Sequence, residues 1–473
     1  MRRTKIIATI GPATTTPEQI AALINAGMDV ARLNFSHGTH KDHAQHIAMV
    51  RAAATSAARS VAILQDLQGP KIRTGALKES TPIVLTTGQP FTITTRPVPG
   101  DAQQVHTTYE LLPTDVHPGD RILLSDGLIE LQVNRTTATD AICEVVHGGK
   151  LREHQGINLP GVNVSAPSIT PKDLDDLDFG LAHDVDYVAL SFVRCADDIL
   201  QVQEHMARRQ KPTPIIAKIE RSEAVERLAD ILAVTDGVMV ARGDLGVELP
   251  PAQVPIVQKQ IIEAANRTGI PVITATQMLE SMILNPRPTR AETSDIANAI
   301  IDGTDGIMLS GETAVGQYPI ESLKMMTLVA EIVEASGRQG DRSTTPRWAL
   351  PDVRSVDWAI GAAASAIVQT IPIRAIVVFT QTGNTARMVA HYRPTVPIIA
   401  FTPSEQVYRR LSLLWGVIPL RAEPLDSLQQ LEPHFRAELI QHGYAEPGDT
   451  IVITGGHPTY IRAQTNFLKI HTL

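Results

Sequence analysis

The fold is decided by three consecutive segments that share one pattern: VDYVALSF at 185–192, PIIAKIE at 214–220 and GVMVARGD at 237–244. Each is a short run of aliphatic residues that ends in charged or hydroxyl-bearing residues. Such runs are typical of strands that are buried on both faces of a parallel sheet. The amphipathic stretches between them, for example residues 221–232, predict connecting helices. This alternation predicts an α/β fold with parallel strands.

Five further strands are predicted by the same pattern on either side of these three. They lie at residues 5–10, 29–35, 61–67, 271–277 and 306–312. The first unit is typical, because Thr16 is a helix N-cap candidate, Pro17 follows it, and Gly27 is suited to end the helix. Eight parallel strands with intervening helices predict a closed (βα)8 barrel of the TIM type.

Two segments depart from the barrel pattern and predict separate domains. Helical periodicity is lost between residues 71 and 164, where runs at 121–124, 128–133 and 141–146 predict a small β domain inserted after strand three. Beyond a linker at 340–346, strands at 375–379, 397–401 and 450–454 predict a C-terminal α/β domain. The predicted limits are 1–70 and 165–340 for the barrel, 71–164 for the insert and 341–473 for the third domain.

Composition argues against several classes of function. The formal net charge is −8, so the chain as a whole lacks the basic surface that favours nucleic acid or an anionic membrane. The longest apolar stretch is too short to span a bilayer, and we expect no membrane and no nucleic-acid partner. Cys143 and Cys195 form no metal-type cluster and are typical of a reducing compartment, so the expected location is cytoplasmic.

Polar residues follow the predicted strands at the end where a (βα)8 barrel carries its active site. These residues are Arg32, Asn34, Ser36, His37, Asp66, Ser191, Lys218, Glu220, Arg242, Asp244, Thr274, Thr276, Ser310 and Glu312. Any one of them alone is explained equally well as a surface residue that begins a loop. Together they place both signs of charge at one mouth, and charged residues are rarely buried there without partners or a function.

Glu220 and Asp244 predict a divalent metal site. Two carboxylates on neighbouring strands leave other positions of a magnesium ion free for water and substrate. The alternative is that the two carboxylates only pair with Arg221 and Arg242.

Lys218 and Arg32 would bring positive charge to the same mouth, where a transferring phosphoryl group needs neutralisation. The turn at 243–246, GDLG, offers N–H groups to a carboxylate, although a plain strand-to-helix turn explains it as well. In the third domain, a loop before a predicted helix is a candidate phosphate site, and a capped helix without a ligand is the alternative. The loop residues in question are Thr380, Thr382, Gly383, Asn384 and Thr385.

Eight ordered motifs resemble those of the pyruvate kinase family and cover the barrel nearly end to end. They are KIIATIGPA (5–13), ARLNFSHGTH (31–40), DLQGPKIRTG (66–75), AKIERSEAV (217–225), VMVARGDLGVELP (238–250), ATQMLESM (275–282), PRPTRAETSDIANAIIDGTD (286–305) and IMLSGETAVGQYP (307–319). The resemblance implies transfer of the phosphoryl group of phosphoenolpyruvate to ADP, giving pyruvate and ATP in the final step of glycolysis. It also implies that the insert is a small β-barrel that closes as a lid.

Roles for individual residues follow from the same resemblance. Lys218 and Arg32 would bind the transferring phosphoryl group, and Glu220 and Asp244 would bind magnesium or manganese. Gly243 and Asp244 with Thr276 would hold the substrate carboxylate and a nearby water, while Ser310 and Glu312 would belong to the proton route. His37, Arg73 and Lys172 correspond to nucleotide-side positions, with a second magnesium ion arriving on ADP.

The monovalent-cation site departs from the pattern of many family members. Those that require potassium bind it with residues matching Asn34, Ser36, Asp66 and the carbonyl of Leu67, and they carry Glu at the position of Lys71. An ammonium at Lys71 would replace the cation, and Leu67, Gln68 and Lys71 resemble the potassium-independent branch. Thr74 instead matches the potassium-requiring branch. We expect substantial activity without potassium.

Assembly and regulation are implied only in outline. Family members are usually homotetramers, and residues 286–299 resemble a stretch that contributes to a subunit contact. The third domain resembles an effector domain, for which AMP, a sugar phosphate such as ribose 5-phosphate, or no effector are all admissible. Two other functions stay open at this point: a metal-dependent lyase or aldolase acting on pyruvate or another oxo acid, and a catalytically silent sugar-phosphate sensor on the same barrel.

Overall fold

Eight parallel strands close into a barrel in the computed structural model, which describes residues 2–337, 355–423, 428–456 and 464–473. In chain order, the barrel strands are Lys5–Ile10, Val30–Asn34, Ala62–Asp66, Tyr187–Leu190, Ile215–Ile219, Gly237–Ala241, Val272–Ala275 and Gly306–Leu309. Each pairs with the strands before and after it, and the first strand pairs with the eighth to close the barrel. The predicted (βα)8 barrel is therefore confirmed.

Several strands end earlier than the sequence predicts, and the sixth and eighth end earliest, three residues before the predicted limit. The sixth strand ends at Ala241 and is followed at once by the helix Arg242–Glu248. The eighth ends at Leu309 and is followed by the short helix Gly311–Ala314. Asp244 and Glu312 therefore lie in the first turns of helices at the barrel mouth and not on strands.

Helices surround the barrel. They are Pro17–Ala26, His40–Ser56, Pro171–Ala182, Ala196–Arg208, Ser222–Glu226, Leu228–Leu232, Arg242–Glu248, Val254–Thr268, Arg290–Asp302, Gly311–Ala314 and Pro319–Ala335, with 3-10 turns at Pro12–Thr14 and Glu280–Ile283. The predicted caps of the first helix are present, since Thr16 accepts a hydrogen bond from the Gln19 N–H and Gly27 has φ of 117°. Aliphatic side chains of strands and helices form one continuous core between the two layers.

The insert folds around its own apolar core. Its strands are Ile83–Leu85 paired with Gly149–Leu151, and a six-stranded sheet in the order Ile157–Asn158, Arg121–Leu124, Ile129–Thr136, Asp140–His147, Pro90–Thr94, Gln104–His106. A short helix, Leu112–Asp115, and a 3-10 turn, Lys78–Ser80, complete it. Bridges from Arg73 to Gly156 and from Thr74 to Thr107 connect both edges of the larger sheet, so the sheet curls back on itself.

The third domain contains a five-stranded sheet. The strand order is Val417–Arg421, Ile398–Thr402, Ile376–Phe379, Thr450–Gly456, Thr465–Thr472, and only the last pairs antiparallel. Its helices are Val356–Thr370, Asn384–His391, Glu405–Arg410 and Leu428–Gln441, with a 3-10 turn at Leu411–Leu413. The predicted linker at 340–346 and the boundary at 340/341 lie outside the described residues. Across the described ranges, no helix is long and apolar enough to cross a membrane.

Candidate active site at the barrel mouth

Lys218 lies at the centre of the mouth, near the end of the fifth strand. Its Nζ lies 2.6 Å from Ser191 Oγ, 3.2 Å from Asp66 Oδ1 and 3.0 Å from Glu220 Oε1. The side chain is 11% exposed. The structure therefore brings together polar groups from the ends of the third, fourth and fifth strands around one ammonium group.

The charged groups of this cluster shift the pKa values of one another. Burial lowers the pKa of Lys218, but Asp66 and Glu220 outweigh burial, so the net shift is upward and the group stays an ammonium ion. Burial raises the pKa of Asp66, but Arg32 and Lys218 outweigh it and lower the pKa overall. Asp66 is thus a permanent carboxylate shared by two cations.

Arg32 contacts the carboxylate oxygen of Asp66 that Lys218 does not. Its Nε donates to Asp66 Oδ2 at 2.6 Å, and its Nη1 donates to Thr9 Oγ1 at 2.9 Å. Thr9 is a residue that the sequence reasoning missed. The available signal was a polar residue within the fully buried first strand.

Glu220 has one carboxylate oxygen whose only close protein partner among the described residues is the Lys218 ammonium group. Its Oε2 accepts a 2.7 Å hydrogen bond from the Phe192 N–H, whose residue has φ of 55°. Its Oε1 is buried and 3.0 Å from Lys218 Nζ, yet it accepts no hydrogen bond of acceptable geometry from the described residues. Burial raises the pKa of Glu220, opposed by Lys218 and reinforced by Asp244. A hard divalent cation between Glu220 and Asp244 would satisfy this donor set.

The alternative explanation of these carboxylates is not supported by the ion pairs. Arg242 pairs with Asp295 at 2.6 Å and not with Asp244. Within the described ranges, Arg221 forms no ion pair with Glu220. Arg32 and Lys218 carry two positive charges against the three negative charges of Asp66, Glu220 and Asp244. A divalent ion would therefore turn the site from net negative to net positive, which suits an anionic substrate.

The turn after the seventh strand contacts the helix that carries Asp244. Thr276 Oγ1 accepts a 2.8 Å hydrogen bond from the Gly243 N–H, and Thr276 has φ of 70°. A β-branched residue in this region is strained by about 1–3 kcal/mol. Arg242 supports the turn, because its Nη2 donates to Thr276 O at 2.6 Å and its Nε donates to Ala275 O at 3.2 Å. The sequence did not indicate this role of Arg242.

Ser310 and Glu312 differ in the hydrogen bonds that their side chains make. Glu312 is buried, and its two oxygens accept hydrogen bonds from the Leu279 N–H at 2.9 Å and the Ser310 N–H at 2.7 Å. Glu312 therefore ties together the loops after the seventh and eighth strands. Ser310 Oγ is buried and has no hydrogen-bond partner among the described residues.

Two of the three residues predicted for the nucleotide side, His37 and Arg73, are linked because the charge of Arg73 acts on His37. Burial lowers the pKa of His37, and the charges of Arg73, Lys71 and Arg32 lower it further, so His37 is neutral at pH 7. Arg73 Nη1 donates to His154 O at 3.0 Å. Lys172 instead pairs with Asp176, with its Nζ 2.5 Å from Asp176 Oδ2, and also donates to Phe35 O at 2.9 Å after the second strand.

Some of the groups predicted to bind a monovalent cation make hydrogen bonds within the protein. Ser191 Oγ donates to Leu67 O at 2.8 Å, and Asn34 Oδ1 accepts from the Ser36 N–H at 3.1 Å. Lys71 Nζ makes no ion pair with any residue that the structure describes, and its charge acts on nearby His37. Among the described residues, Lys71 therefore has no carboxylate partner.

The loop of the third domain caps a helix. Thr380 Oγ1 accepts from the Gly383 N–H at 2.9 Å, and Gly383 has φ of 88° immediately before the helix Asn384–His391. Thr385 Oγ1 lies 2.8 Å from Thr465 Oγ1 and is buried. Thr382 is exposed and its Oγ1 accepts from the Asn384 N–H at 3.4 Å.

Comparisons with known proteins cover both the barrel and the third domain. Residues 1–323 match the family model described as pyruvate kinase, barrel domain, and residues 358–471 match that described as pyruvate kinase, alpha/beta domain. "Pyruvate kinase 2" of Synechocystis sp. is 46% identical over 478 residues, covering 100% of this chain and 79% of the relative. "Pyruvate kinase" of Staphylococcus aureus strain USA300 is 46% identical over 473 residues, covering 100% and 80%.

A solved structure gives the same result. The crystal structure of a pyruvate kinase from Cryptosporidium parvum superimposes with a TM-score of 0.93 at 37% identity, covering 100% of this chain and 96% of that chain. The family models, the curated relatives and the fold agree: this chain belongs to the pyruvate kinase family.

Proposed function

We propose that this chain transfers the phosphoryl group of phosphoenolpyruvate to ADP at the barrel mouth, with Lys218 as the central catalytic residue. The observation that carries the proposal is a buried ammonium group between Asp66, Glu220 and Ser191 at the active-site end of the barrel. In the reaction the bond between phosphorus and the enolate oxygen breaks, and a bond from phosphorus to a terminal oxygen of ADP forms.

Lys218 and Arg32 act on the phosphoryl group. Because both cations are fixed by Asp66, they need little reorganisation when negative charge redistributes in the transition state. Arg32 helps to hold the group, and Lys218 balances its charge during transfer.

Glu220 and Asp244 are the residues that would hold the divalent ion, magnesium or manganese. When bound, the ion neutralises phosphoryl charge and polarises the enolate oxygen. The fit is supported by the unsatisfied Glu220 Oε1 and by the absence of an arginine partner for either carboxylate among the described residues.

Thr276 and the first turn of the helix Arg242–Glu248 orient the substrate carboxylate. The first N–H groups of a helix have no partner within the helix, so the Asp244 N–H is suited to a carboxylate oxygen. Thr276 and Ser310 then order the water that protonates the methylene carbon of the enolate. Glu312 supports this route by positioning the Ser310 backbone.

The insert, residues 71–164, acts as a lid over the barrel mouth. His37, Arg73 and Lys172 lie on the nucleotide side, and a second magnesium ion arrives on ADP. Closure would exclude water from a phosphoryl donor that water can hydrolyse. We further propose that Lys71 replaces the monovalent cation near Asn34, Ser36, Asp66 and Leu67, so that potassium is not required.

Location and assembly are also proposals. A cytoplasmic homotetramer is expected from the family resemblance, and the 66% exposure of Leu284 beside residues 286–299 is consistent with a covered surface there. The loop at 380–385 is the proposed site for the phosphate of an effector, with AMP or a sugar phosphate as ligand.

Substituting Lys218 separates phosphoryl transfer from the proton transfer at the methylene carbon. Lys218→Met should lower pyruvate formation by about 10³-fold, because one fixed charge on the transferring group is lost. Metal-dependent exchange of the methyl protons of pyruvate, followed by NMR in deuterium oxide, should stay within a few-fold of the unmodified protein.

The control for this substitution is Lys324→Met, which changes an exposed lysine on the helix Pro319–Ala335. It should leave both activities unchanged. Equal loss of transfer and exchange in Lys218→Met would mean that Lys218 maintains the shape of the site and does not act on the phosphoryl group.

A further inference from the structure

One short helix connects the proposed metal site with the insert. The helix Arg242–Glu248 follows the sixth barrel strand at once, and Asp244 lies in its first turn. Val247 and Glu248 lie in its last turn, before the backbone becomes extended at Leu249. A helix of seven residues is only about 10 Å long, so a displacement of one end also displaces the other.

The insert lies against the last turn of this helix with two neighbouring segments. A Cβ at Gly127, in the turn after the strand Arg121–Leu124, would lie 3.8 Å from Val247 Cγ1. Asn158 is on the strand that pairs with Arg121–Leu124, and its side chain makes a hydrogen bond with Glu248. The insert therefore meets the helix through one apolar and one polar side chain.

Glu248 is a buried carboxylate that is stabilised from two domains. The residue is 8% exposed, and burial raises its pKa to about 7. Arg221 opposes this rise by its charge, while Glu223 and Asp244 add to it. The hydrogen bond from Asn158 opposes the rise as well. Arg221 belongs to the barrel and Asn158 to the insert, so the carboxylate lies between the two domains.

Arg221 acts on Glu248 through its charge. Its guanidinium carbon lies 5.7 Å from the centre of the Phe192 ring. Its Nε and Nη1 are buried and have no hydrogen-bond partner among the described residues. A charge acting at a distance does not set an orientation, whereas a hydrogen bond does. The hydrogen bond from Asn158 is therefore the contact that orients the Glu248 carboxylate towards the insert.

We propose that Glu248 is a positioning residue that couples the insert to the proposed metal site. Its hydrogen bond with Asn158 holds the insert against the last turn of the helix Arg242–Glu248. The helix transmits this contact to Asp244 in its first turn. The inference rests on the proposed function, in which Asp244 is a ligand of the divalent ion, and adds the contact through which the insert acts on that ligand.

The first readout is the affinity of the full chain for Mn²⁺ without substrates, measured from the electron paramagnetic resonance signal of the free ion. Asn158→Ala should weaken Mn²⁺ binding by about threefold to tenfold, the usual effect of losing one hydrogen bond. This substitution keeps the net charge of the chain, so the general attraction of the protein for a cation is unaltered.

The second readout is hydrogen exchange at residues 242–249, followed by mass spectrometry. The Leu249 N–H donates to Leu245 O at 2.9 Å and reports on the last turn of the helix. Exchange at this segment should become several-fold faster in Asn158→Ala. Asn163→Ala, which changes an exposed asparagine of the insert, is the matched control and should alter neither readout.

A rescue experiment separates positioning from a general loss of structure. Asn158→Asp places a second carboxylate beside Glu248, and their repulsion should speed exchange at residues 242–249. Adding Glu248→Gln restores a donor and an acceptor with the roles reversed and returns the net charge of the unmodified chain. The double variant should therefore recover slow exchange and normal Mn²⁺ affinity. This comparison also decides the matter if Asn158→Ala does not fold.

The inference is overturned if Asn158→Ala folds and leaves both readouts unchanged, or if Glu248→Gln does not rescue Asn158→Asp. Asp244→Asn tests the proposed function separately and should abolish tight Mn²⁺ binding. Unchanged binding in Asp244→Asn would overturn the metal assignment and the inference with it. Lost binding in Asp244→Asn, with no effect of Asn158→Ala, would overturn the inference alone.

Discussion

The two carboxylates beside Lys218 respond to it differently. The pKa of Asp66 is lowered because Arg32 and Lys218 outweigh its burial, whereas burial raises the pKa of Glu220 despite Lys218. The cations of the protein therefore hold Asp66 charged, whereas the contact of Glu220 with Lys218 does not offset its burial. This difference is the physical reason for assigning Asp66 to positioning and Glu220 to the metal.

Lys71 allows the cation proposal to be tested by one substitution. The unmodified protein should turn over at a similar rate with and without potassium at constant ionic strength, because the ammonium group supplies the missing charge. Lys71→Glu should become dependent on potassium, with at least tenfold stimulation in steady-state assays. A many-fold stimulation of the unmodified protein would contradict the proposal.

Glu248 predicts a pH dependence of stability. Burial raises its pKa to about 7 from an ordinary 4.5, with Arg221 opposing the shift. The folded state binds this proton more tightly than the unfolded chain, so the stabilisation is complete below about pH 4.5 and is lost as pH rises through about 7. The loss at pH 8 is about 3 kcal/mol.

Melting temperatures at pH 5 and pH 8 measure this effect. Glu248→Gln should melt several degrees higher than the unmodified protein at pH 8 and should show a smaller difference between the two pH values. Glu263→Gln, which changes an exposed glutamate of the helix Val254–Thr268, is the control and should leave the difference unchanged. An unchanged pH difference in Glu248→Gln would contradict the assignment.

At the scale of elements, the strands and their caps were predictable and the exact strand ends were not. Runs of aliphatic residues and the Thr16-Pro17 cap depend on local sequence, so all eight barrel strands and the first helix were found. The early end of the sixth strand depends on Arg242, whose contacts with the carbonyls of Ala275 and Thr276 come from the next strand. No local pattern contains that information.

Gly269 connects two elements from different domains. It ends the helix Val254–Thr268 with φ of 69°, and a Cβ at this position would lie 2.1 Å from the Trp358 ring of the third domain. Gly269→Ala should therefore cost about 1–2 kcal/mol from the backbone and about 1–3 kcal/mol from the overlap. The melting temperature should fall by roughly 5–10 °C.

The matched control is Gly443→Ala. Gly443 has φ of 68° but no atom within 4 Å of the added Cβ, so only the backbone cost applies. Its fall in melting temperature should be about half that of Gly269→Ala or less. Equal effects of the two substitutions would mean that the Trp358 contact contributes nothing to stability.

At the scale of the whole molecule, the order of motifs was enough to identify the family. The sequence-based identification as a pyruvate kinase is confirmed by the family models and the full-length relatives, which favour the kinase over the lyase and the silent sensor. The predicted effector-loop residues Thr382, Gly383 and Asn384 line a cavity with barrel residues such as Pro271, and the sequence did not indicate the cavity itself because it depends on how two domains meet. An aspartate before the fourth strand, Asp186, was visible in the sequence, but its partners Arg51 and Arg409 come from distant parts of the chain.

The central claim is that this barrel mouth transfers a phosphoryl group with its own cations and a divalent ion. The most direct measurement is pyruvate formation by the purified chain from phosphoenolpyruvate and ADP, with magnesium and without potassium. We predict rapid turnover that requires ADP, stops when EDTA removes the metal and returns when magnesium is restored. Pyruvate formation without ADP, or no turnover with both substrates and magnesium, would contradict the account.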